Sequence, residues 1–266
     1  MVSLSDLPRR KDTEPDRKFI EALARGLDVL RAFQPGDGFL GNLEIAQRTG
    51  LPRSSISRVT YTLTKLGYLT YSERLEKYQL GSGVLALGYA FVSNLTIRQV
   101  AKPLMQDLAN TTGTAVGLSD RDRLDMIFVE FSAPANVTAF RHEIGNRVAM
   151  ATSGTGRAYL AALPQEEREY FYPYLEKKAV ADWPKTKAGI EEAVISYQQH
   201  GFCCSFGDWN RDVNGIAVPL QLSQGHIYTF NAGGPAFRLN PEFLENEVAP
   251  LLKNMVSNIK TMLIRL

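Results

Sequence analysis

Apolar positions Ile20, Leu23, Leu27 and Leu30 recur at the 3.6-residue period and predict a helix over residues 19–33. The run Gln34-Pro35-Gly36-Asp37-Gly38 ends it, since Pro and Gly favour turns and break the helical ladder. A short helix is predicted over 43–48, with Asn42 as N-cap and Thr49-Gly50 as its stop. Leu51-Pro52 leads into a third helix over 53–66, and Gly67 suits the position just past its end. After Gly67 the period falls to two. Residues 68–71 and 77–80 read as strands around a polar turn over 72–76.

Helix, short helix, turn, helix and hairpin is the order of a winged helix-turn-helix. Two more helices are predicted over 81–93 and 97–110. The second carries Val100, Leu104 and Leu108 on one face, a stripe expected to pack on the N-terminal domain or on a partner subunit. Strands follow at 115–119, 123–131 and 137–140, then helices at 154–163, 165–175 and 185–200. Strands return at 202–206, 215–221 and 226–231, and a helix closes the chain over 241–266. Strands and helices come in groups, which favours a two-domain α+β protein over a doubly wound parallel sheet. The expected division is an N-terminal arm over 1–17, a DNA-binding domain over 18–81, linker helices over 82–112 and a second domain over 113–266.

The third helix has two unlike faces. At about 100° per residue, Ile56, Val59, Leu63 and Leu66 fall together. Ser54, Ser57, Arg58, Tyr61 and Lys65 fall opposite, with no acid among them. A guanidinium that can bond guanine bidentately, an ammonium for phosphate and short hydroxyls suit a helix laid in a major groove. Arg53, Ser54 and Ser55 sit at its N-terminus, where free N–H groups favour a phosphate. Arg74 and Lys77 in the hairpin are candidates for the DNA backbone. A solvated surface helix would show the same amphipathicity, so it is the flanking helix and hairpin that favour DNA.

Composition narrows the class without deciding it. The chain has 266 residues, 44% of them hydrophobic and 22% charged, ordinary for a globular protein. No apolar run reaches the ~18 residues of a membrane span. The charged N-terminus lacks the apolar core of a signal peptide and reads as a flexible arm. Residues 1–80 hold 13 Lys and Arg against 10 Asp and Glu, while the remainder holds 17 against 18. The positive excess therefore lies with the DNA-binding part. Two adjacent cysteines, Cys203 and Cys204, make no disulfide framework and suit a reducing cytoplasm. His142, His200 and His226 are far apart and form no ligand spacing with them, so neither metal nor cofactor is expected.

Several runs together carry a resemblance. Leu43-Glu44-Ile45-Ala46-Gln47-Arg48-Thr49-Gly50-Leu51-Pro52-Arg53-Ser54-Ser55-Ile56-Ser57-Arg58 is similar to the helix-turn-helix of IclR-family regulators. Gly67-Tyr68-Leu69 and Tyr78-Gln79-Leu80-Gly81 resemble that family's wing. Ala151-Thr152-Ser153-Gly154-Thr155-Gly156-Arg157 resembles its pocket helix, and Gly215-Ile216-Ala217-Val218-Pro219-Leu220 and Gly233-Gly234-Pro235 its late core strands. The resemblance runs in order from about Lys18 to the C-terminus. It implies a winged helix-turn-helix, a linker helix and a GAF-like α/β ligand-binding domain. It also implies a homodimer or dimer of dimers on a palindromic double-stranded DNA operator. Such regulators repress or activate catabolic genes in response to small carboxylates, aromatic acids included. The alternative is a constitutive DNA-binding dimer whose second domain senses nothing.

The resemblance places the effector at Phe140, Gly154, Thr155, Asp208, Gly215, Asn231 and Gly233. Gly215 stands where some members have cysteine, and Asn231 and Gly233 where some have serine. On the residues alone, the small run Ser153-Gly154-Thr155-Gly156 opens a helix whose free N–H groups favour a carboxylate. Capping by Thr152 or Ser153 with tight packing is the plainer reading. Phe128, Phe140, Phe206 and Trp209 are candidate walls, each equally a core residue by type. Arg141 suits an anion, or an ion pair with Glu143 or Asp208. Asp208 is expected to accept a hydrogen bond from a ligand hydroxyl. An enzymatic reading would rest on Asp208 beside Cys204 or Ser205, with no phosphate loop or nucleophile elbow in support.

Overall fold

The computed structural model describes residues 18–134, 143–179, 182–223 and 225–265. The arm over 1–17, the strand expected over 137–140, Phe140, Arg141 and His142 lie outside the described residues. The chain divides into two compact units, residues 1–94 and 95–266.

The first unit follows the predicted order. Helix α1 (Glu21–Arg31), α2 (Asn42–Thr49) and α3 (Arg53–Lys65) precede the hairpin β1 (Leu69–Ser72) and β2 (Lys77–Leu80). Val29, Leu40, Ile45, Ile56, Leu63 and Leu69 form its core. Asn42 is not the cap of α2. Gly41 holds that position, and the Glu44 carboxylate accepts its N–H at 2.6 Å. Asn42 instead ties α2 to α3, donating to Ser57 Oγ at 3.3 Å. Gly50 closes α2 at φ +71°, a conformation that costs a residue with a Cβ. The inner face of α3 also differs from the pattern. Leu66 is 64% exposed, and Thr60 is buried in its place. A helix tolerates a buried threonine when its hydroxyl bonds back, here to Ile56 O at 2.9 Å. The unit ends with α4 (Ser82–Ser93), which buries none of its residues.

The second unit begins with α5 (Thr96–Thr112). Leu108 is buried, and Val100 and Leu104 are partly buried against the core of this same unit. The stripe therefore serves the core of its own unit. A six-stranded antiparallel sheet follows, in the order β5-β4-β3-β8-β7-β6. Its strands are β3 (Ala115–Asp122), β4 (Asp125–Ser132), β5 (Arg147–Ala149), β6 (Cys203–Phe206), β7 (Val213–Gln221) and β8 (Ile227–Pro235).

Between β5 and β6 come α6 (Gly154–Ala162), α7 (Gln165–Lys178) and α8 (Trp183–His200). The chain closes with a turn of helix, α9 (Pro241–Phe243), a π-helical stretch over Leu244–Val248 and α10 (Ala249–Ile264). Val116, Leu118, Ile216, Val218, Phe230 and Ala232 face α5 and α10 and form the larger core. The alternate residues face α6, which packs on β7 and β8 through Ala158, Ala161 and Ala217. These small side chains let the helix approach the sheet closely.

One irregularity matters for the site. Leu118 pairs with Glu130, but Ser119 pairs with Phe128, so Val129 is a bulge in β4. A plain strand would put Phe128 and Glu130 on one face. The extra residue turns them to opposite faces.

Candidate functional site

Two regions gather the candidate residues, one in each unit. On α3, the side chains of Arg53, Ser54, Ser57, Arg58, Tyr61 and Lys65 are exposed, and Ser55 is half-buried. Among the described residues, the guanidinium groups of Arg53, Arg58 and Arg74 have no ion pair or hydrogen bond. Lys65 lies 5.5 Å from the centre of the Tyr61 ring. Lys77 differs from the others, because its ammonium pairs with Glu44 at 3.0 Å and ties the hairpin to α2. Its place is structural first. Arg48 and Asp37 form a further two-pronged pair that holds the loop after α1 on α2. The arrangement leaves a cationic, acid-free helix face with a firm scaffold behind it.

In the second unit a cleft of about 440 Å³, part of it open to solvent, lies between the start of α6 and the sheet. Its floor follows from the register. On the face turned to α6, Gly215, Gly233 and Ala115 form one row. Ala217, Asn231 and Gly117 form the next, and Pro219, Thr229, Ser119 and Phe128 the third. Glycines at the near end leave the space. A Cβ on Gly233 would stand 2.7 Å from Asn214 O. The α6 turn closes the other side. Ser153 caps it, accepting from Gly156 N at 3.0 Å and donating to Ala149 O at 2.6 Å. Gly156 has no alternative, since a Cβ there would meet Met150 O at 2.2 Å. Among the described residues, the N–H groups of Gly154 and Thr155, which precede the first intrahelical bonds, have no hydrogen-bond partner, and both residues line the cleft.

The cleft brings together Gly154, Thr155, Gly215, Asn231 and Gly233 from the expected set. Phe128 and Trp209 line it as well. Phe206 does not, because the alternation of β6 turns it to the other face, where it packs against the larger core. Asp208 is also absent from the lining. Its carboxylate pairs with Arg157 at 2.7 Å, and Arg157 is buried, with Cys204 O as a further acceptor. A carboxylate that neutralises a buried guanidinium is committed, since parting them would strand the charge.

Ser153, Ser205 and Asn214 line the cleft too. For Ser205 the signal was present in the sequence, since period two in β6 sets it opposite Phe206. Arg157 carried no signal that would mark it as a buried anchor. The thiol beside it is unreactive at neutral pH. Burial and the Glu245 carboxylate push Cys204 up to about 12. Ser205 donates its hydroxyl to Thr152 O at 2.9 Å. Held by Arg157, Asp208 serves neither Cys204 nor Ser205 as a base.

Among the described residues, no group of three or more His, Cys, Asp and Glu is placed to hold a metal ion. No single helix among them is long and apolar enough to cross a membrane.

Comparison with known proteins follows the same division. Residues 22–73 match the IclR helix-turn-helix domain, and residues 89–261 match the bacterial transcriptional regulator IclR C-terminal domain. The HTH-type transcriptional regulator TsaQ1/TsaQ2 of Comamonas testosteroni is 31% identical over 91% of this chain and 87% of its own. The crystal structure of an IclR family transcriptional regulator from Brucella abortus is 44% identical, covers 96% of each chain and superposes with a TM-score of 0.90. An IclR homolog from Microbacterium hydrocarbonoxydans, solved in complex with 4-hydroxybenzoate, shares the fold at 21% identity and a TM-score of 0.69. It covers 92% of this chain and 100% of its own.

Proposed function

Because the chain belongs to the IclR family of DNA-binding transcriptional regulators, we propose that its cleft senses a small or aromatic carboxylate and that binding there controls catabolic genes. The observation that carries the reading is the pairing of two free N–H groups, at Gly154 and Thr155, with a glycine floor and aromatic walls. A carboxylate is stabilised at a helix N-terminus by those donors and by the helix dipole. Phe128 and Trp209 give an aromatic ring its apolar contact. The relative with 4-hydroxybenzoate bound supports an aromatic acid as the first ligand to try.

The DNA reading rests on α3. Arg58, with Ser54, Ser57, Tyr61 and Lys65, enters the major groove, while Arg53, Ser55 and Arg74 serve the phosphates. The regulator works as a homodimer or dimer of dimers on a palindromic operator, because two-fold protein symmetry is mirrored in the half-sites. It acts in the cytoplasm, with Cys203 and Cys204 as free thiols.

The test is calorimetry and gel shift on wild type and Gly154→Val. At position 154 a Cβ meets nothing closer than Gly215 O at 3.4 Å, so the backbone accepts one, and operator binding by the variant reports that it folds. The variant should bind operator like wild type and lose both the acid and the response to it. Equal binding of 4-hydroxybenzoate by the two proteins would place the effector elsewhere.

A further inference from the structure

Beyond the residues that line the cleft, on the same sheet face, lies a polar feature that a plain carboxylate does not use. Ser119 and Thr229 face each other across β3 and β8 on the side turned to α6, and both are 0% exposed. Among the described residues, neither hydroxyl has a hydrogen-bond partner. Their neighbours in the row, Pro219 and Phe128, have no polar side-chain atom to offer. In the adjoining row Asn231 lines the cleft, and its Oδ1 is buried and unpartnered as well. Three unpaired polar atoms thus occupy two neighbouring rows of one sheet face.

A buried hydroxyl without a partner costs stability, whereas an apolar side chain of the same shape does not. A purely structural sheet would be better served by Val at 229 and Ala at 119. The wall that separates this pair from the cleft is side chain rather than backbone. Phe128 and Asn231 both lean over Gly117, where a Cβ would stand 2.4 Å from the Phe128 ring and 2.5 Å from Asn231 Oδ1.

We propose that Asn231, Thr229 and Ser119 form the hydrogen-bonding end of the effector site, and that the effector is a carboxylic acid with a hydroxyl at the end remote from its carboxylate. The inference rests on the reading of the cleft as an effector site. The carboxylate lies on the N–H groups of Gly154 and Thr155, and the ring lies against Phe128 and Trp209. The hydroxyl donates to Asn231 Oδ1, and it accepts from Thr229 or Ser119 where the Phe128 and Asn231 side chains part over Gly117. This is the role that the sequence suggested for Asp208, whose carboxylate is taken by Arg157.

Calorimetry on the full chain, with 4-hydroxybenzoate and benzoate as probes, tests it. Wild type should hold 4-hydroxybenzoate at least about tenfold more tightly than benzoate, since a site built to bond a hydroxyl rejects the analogue that lacks it. Thr229→Val and Ser119→Ala, singly and together, should bring the ratio towards one by weakening 4-hydroxybenzoate alone. Both variants should melt at or above the wild-type temperature, which separates lost recognition from lost fold. A wild type that binds both acids equally, or a double variant that keeps the full preference, overturns the proposal and leaves the carboxylate site standing. If neither acid binds wild type, the effector reading falls and this proposal falls with it.

Discussion

Arg58 stands at the centre of an exposed helix face with no acid to neutralise it, so its charge is available to a polyanion. Arg58→Ala should leave the melting temperature unchanged and weaken operator binding by about 1–3 kcal/mol if the guanidinium reads a base. A gel-shift titration at fixed salt decides. Equal loss on operator and random DNA would make Arg58 a phosphate contact, and no loss would remove it from the interface. Asp37 illustrates the opposite case, a charge already spent inside the protein. Hydrogen bonds from the Arg48 guanidinium and from the Gln34 N–H hold its carboxyl below the usual carboxylate range. A depressed folded pKa contributes stability above the unfolded value, near 4, which is lost as pH falls through the folded one. Asp37→Asn should therefore be less stable than wild type at pH 7, and the difference should close as the pH drops below about 4. A gap in melting temperature that stays constant with pH would show that the pair does not carry it. The exposed cations were legible in the sequence, because helical phase alone assigns them a face. The commitments of Lys77 to Glu44 and Asp208 to Arg157 were not, since each partner lies more than thirty residues away.

At the scale of elements, period and punctuation sufficed for α1 to α3 and the hairpin, where local signals and tertiary contacts agree. They failed where the contact partner is remote. The stripe on α5 was visible, but its target was not, because an apolar face does not say which surface will cover it. The three-residue β5 was missed, being too short to show a period. The Val129 bulge was invisible for the same reason, and it has a mechanical consequence. Through it β4 presents Phe128 to the cleft and Glu130 to α5. Glu130 is 3% exposed and pairs with Arg98 in the first turn of α5 at 2.7 Å, with Lys102 at 3.7 Å. The strand that supplies Phe128 to the cleft is therefore clamped to α5, the helix that begins the second unit. Glu130→Gln keeps the shape and removes the charge. It should leave the affinity for 4-hydroxybenzoate within about twofold and reduce the effect of that acid on operator affinity by most of the roughly 1–3 kcal/mol typical of such coupling. A full response in gel shift, at saturating acid, would exclude the clamp from the relay.

At the scale of the whole molecule, the first unit leaves a broad apolar surface uncovered. Helix α4 is apolar through most of its length yet buries nothing, with Leu85 73%, Leu87 59%, Tyr89 72% and Phe91 49% exposed. Leu85 and Tyr89 share one side at the i, i+4 spacing, and Leu87 and Phe91 share another about 200° away. A helix that is apolar all round requires cover on more than one side. Leu23 and Leu27 of α1, 60% and 47% exposed, add to the same need. Patches of this extent on a lone domain mark an interface, and the second copy proposed above would supply both the apolar cover and a two-fold symmetry to match a palindromic operator. Leu87→Glu would bury an unpaired carboxylate in that interface. The cost, at least about 3 kcal/mol, should raise the dimer dissociation constant by two orders of magnitude or more. The site on α3 is untouched, so each protomer should still hold a single half-site weakly, while the full operator is lost. Sedimentation velocity across a concentration series reads the first effect, and gel shift on half-site and full-site DNA reads the second. An unchanged oligomer with full operator affinity would mean that α4 finds its cover within its own chain, and that symmetry on the operator is imposed elsewhere.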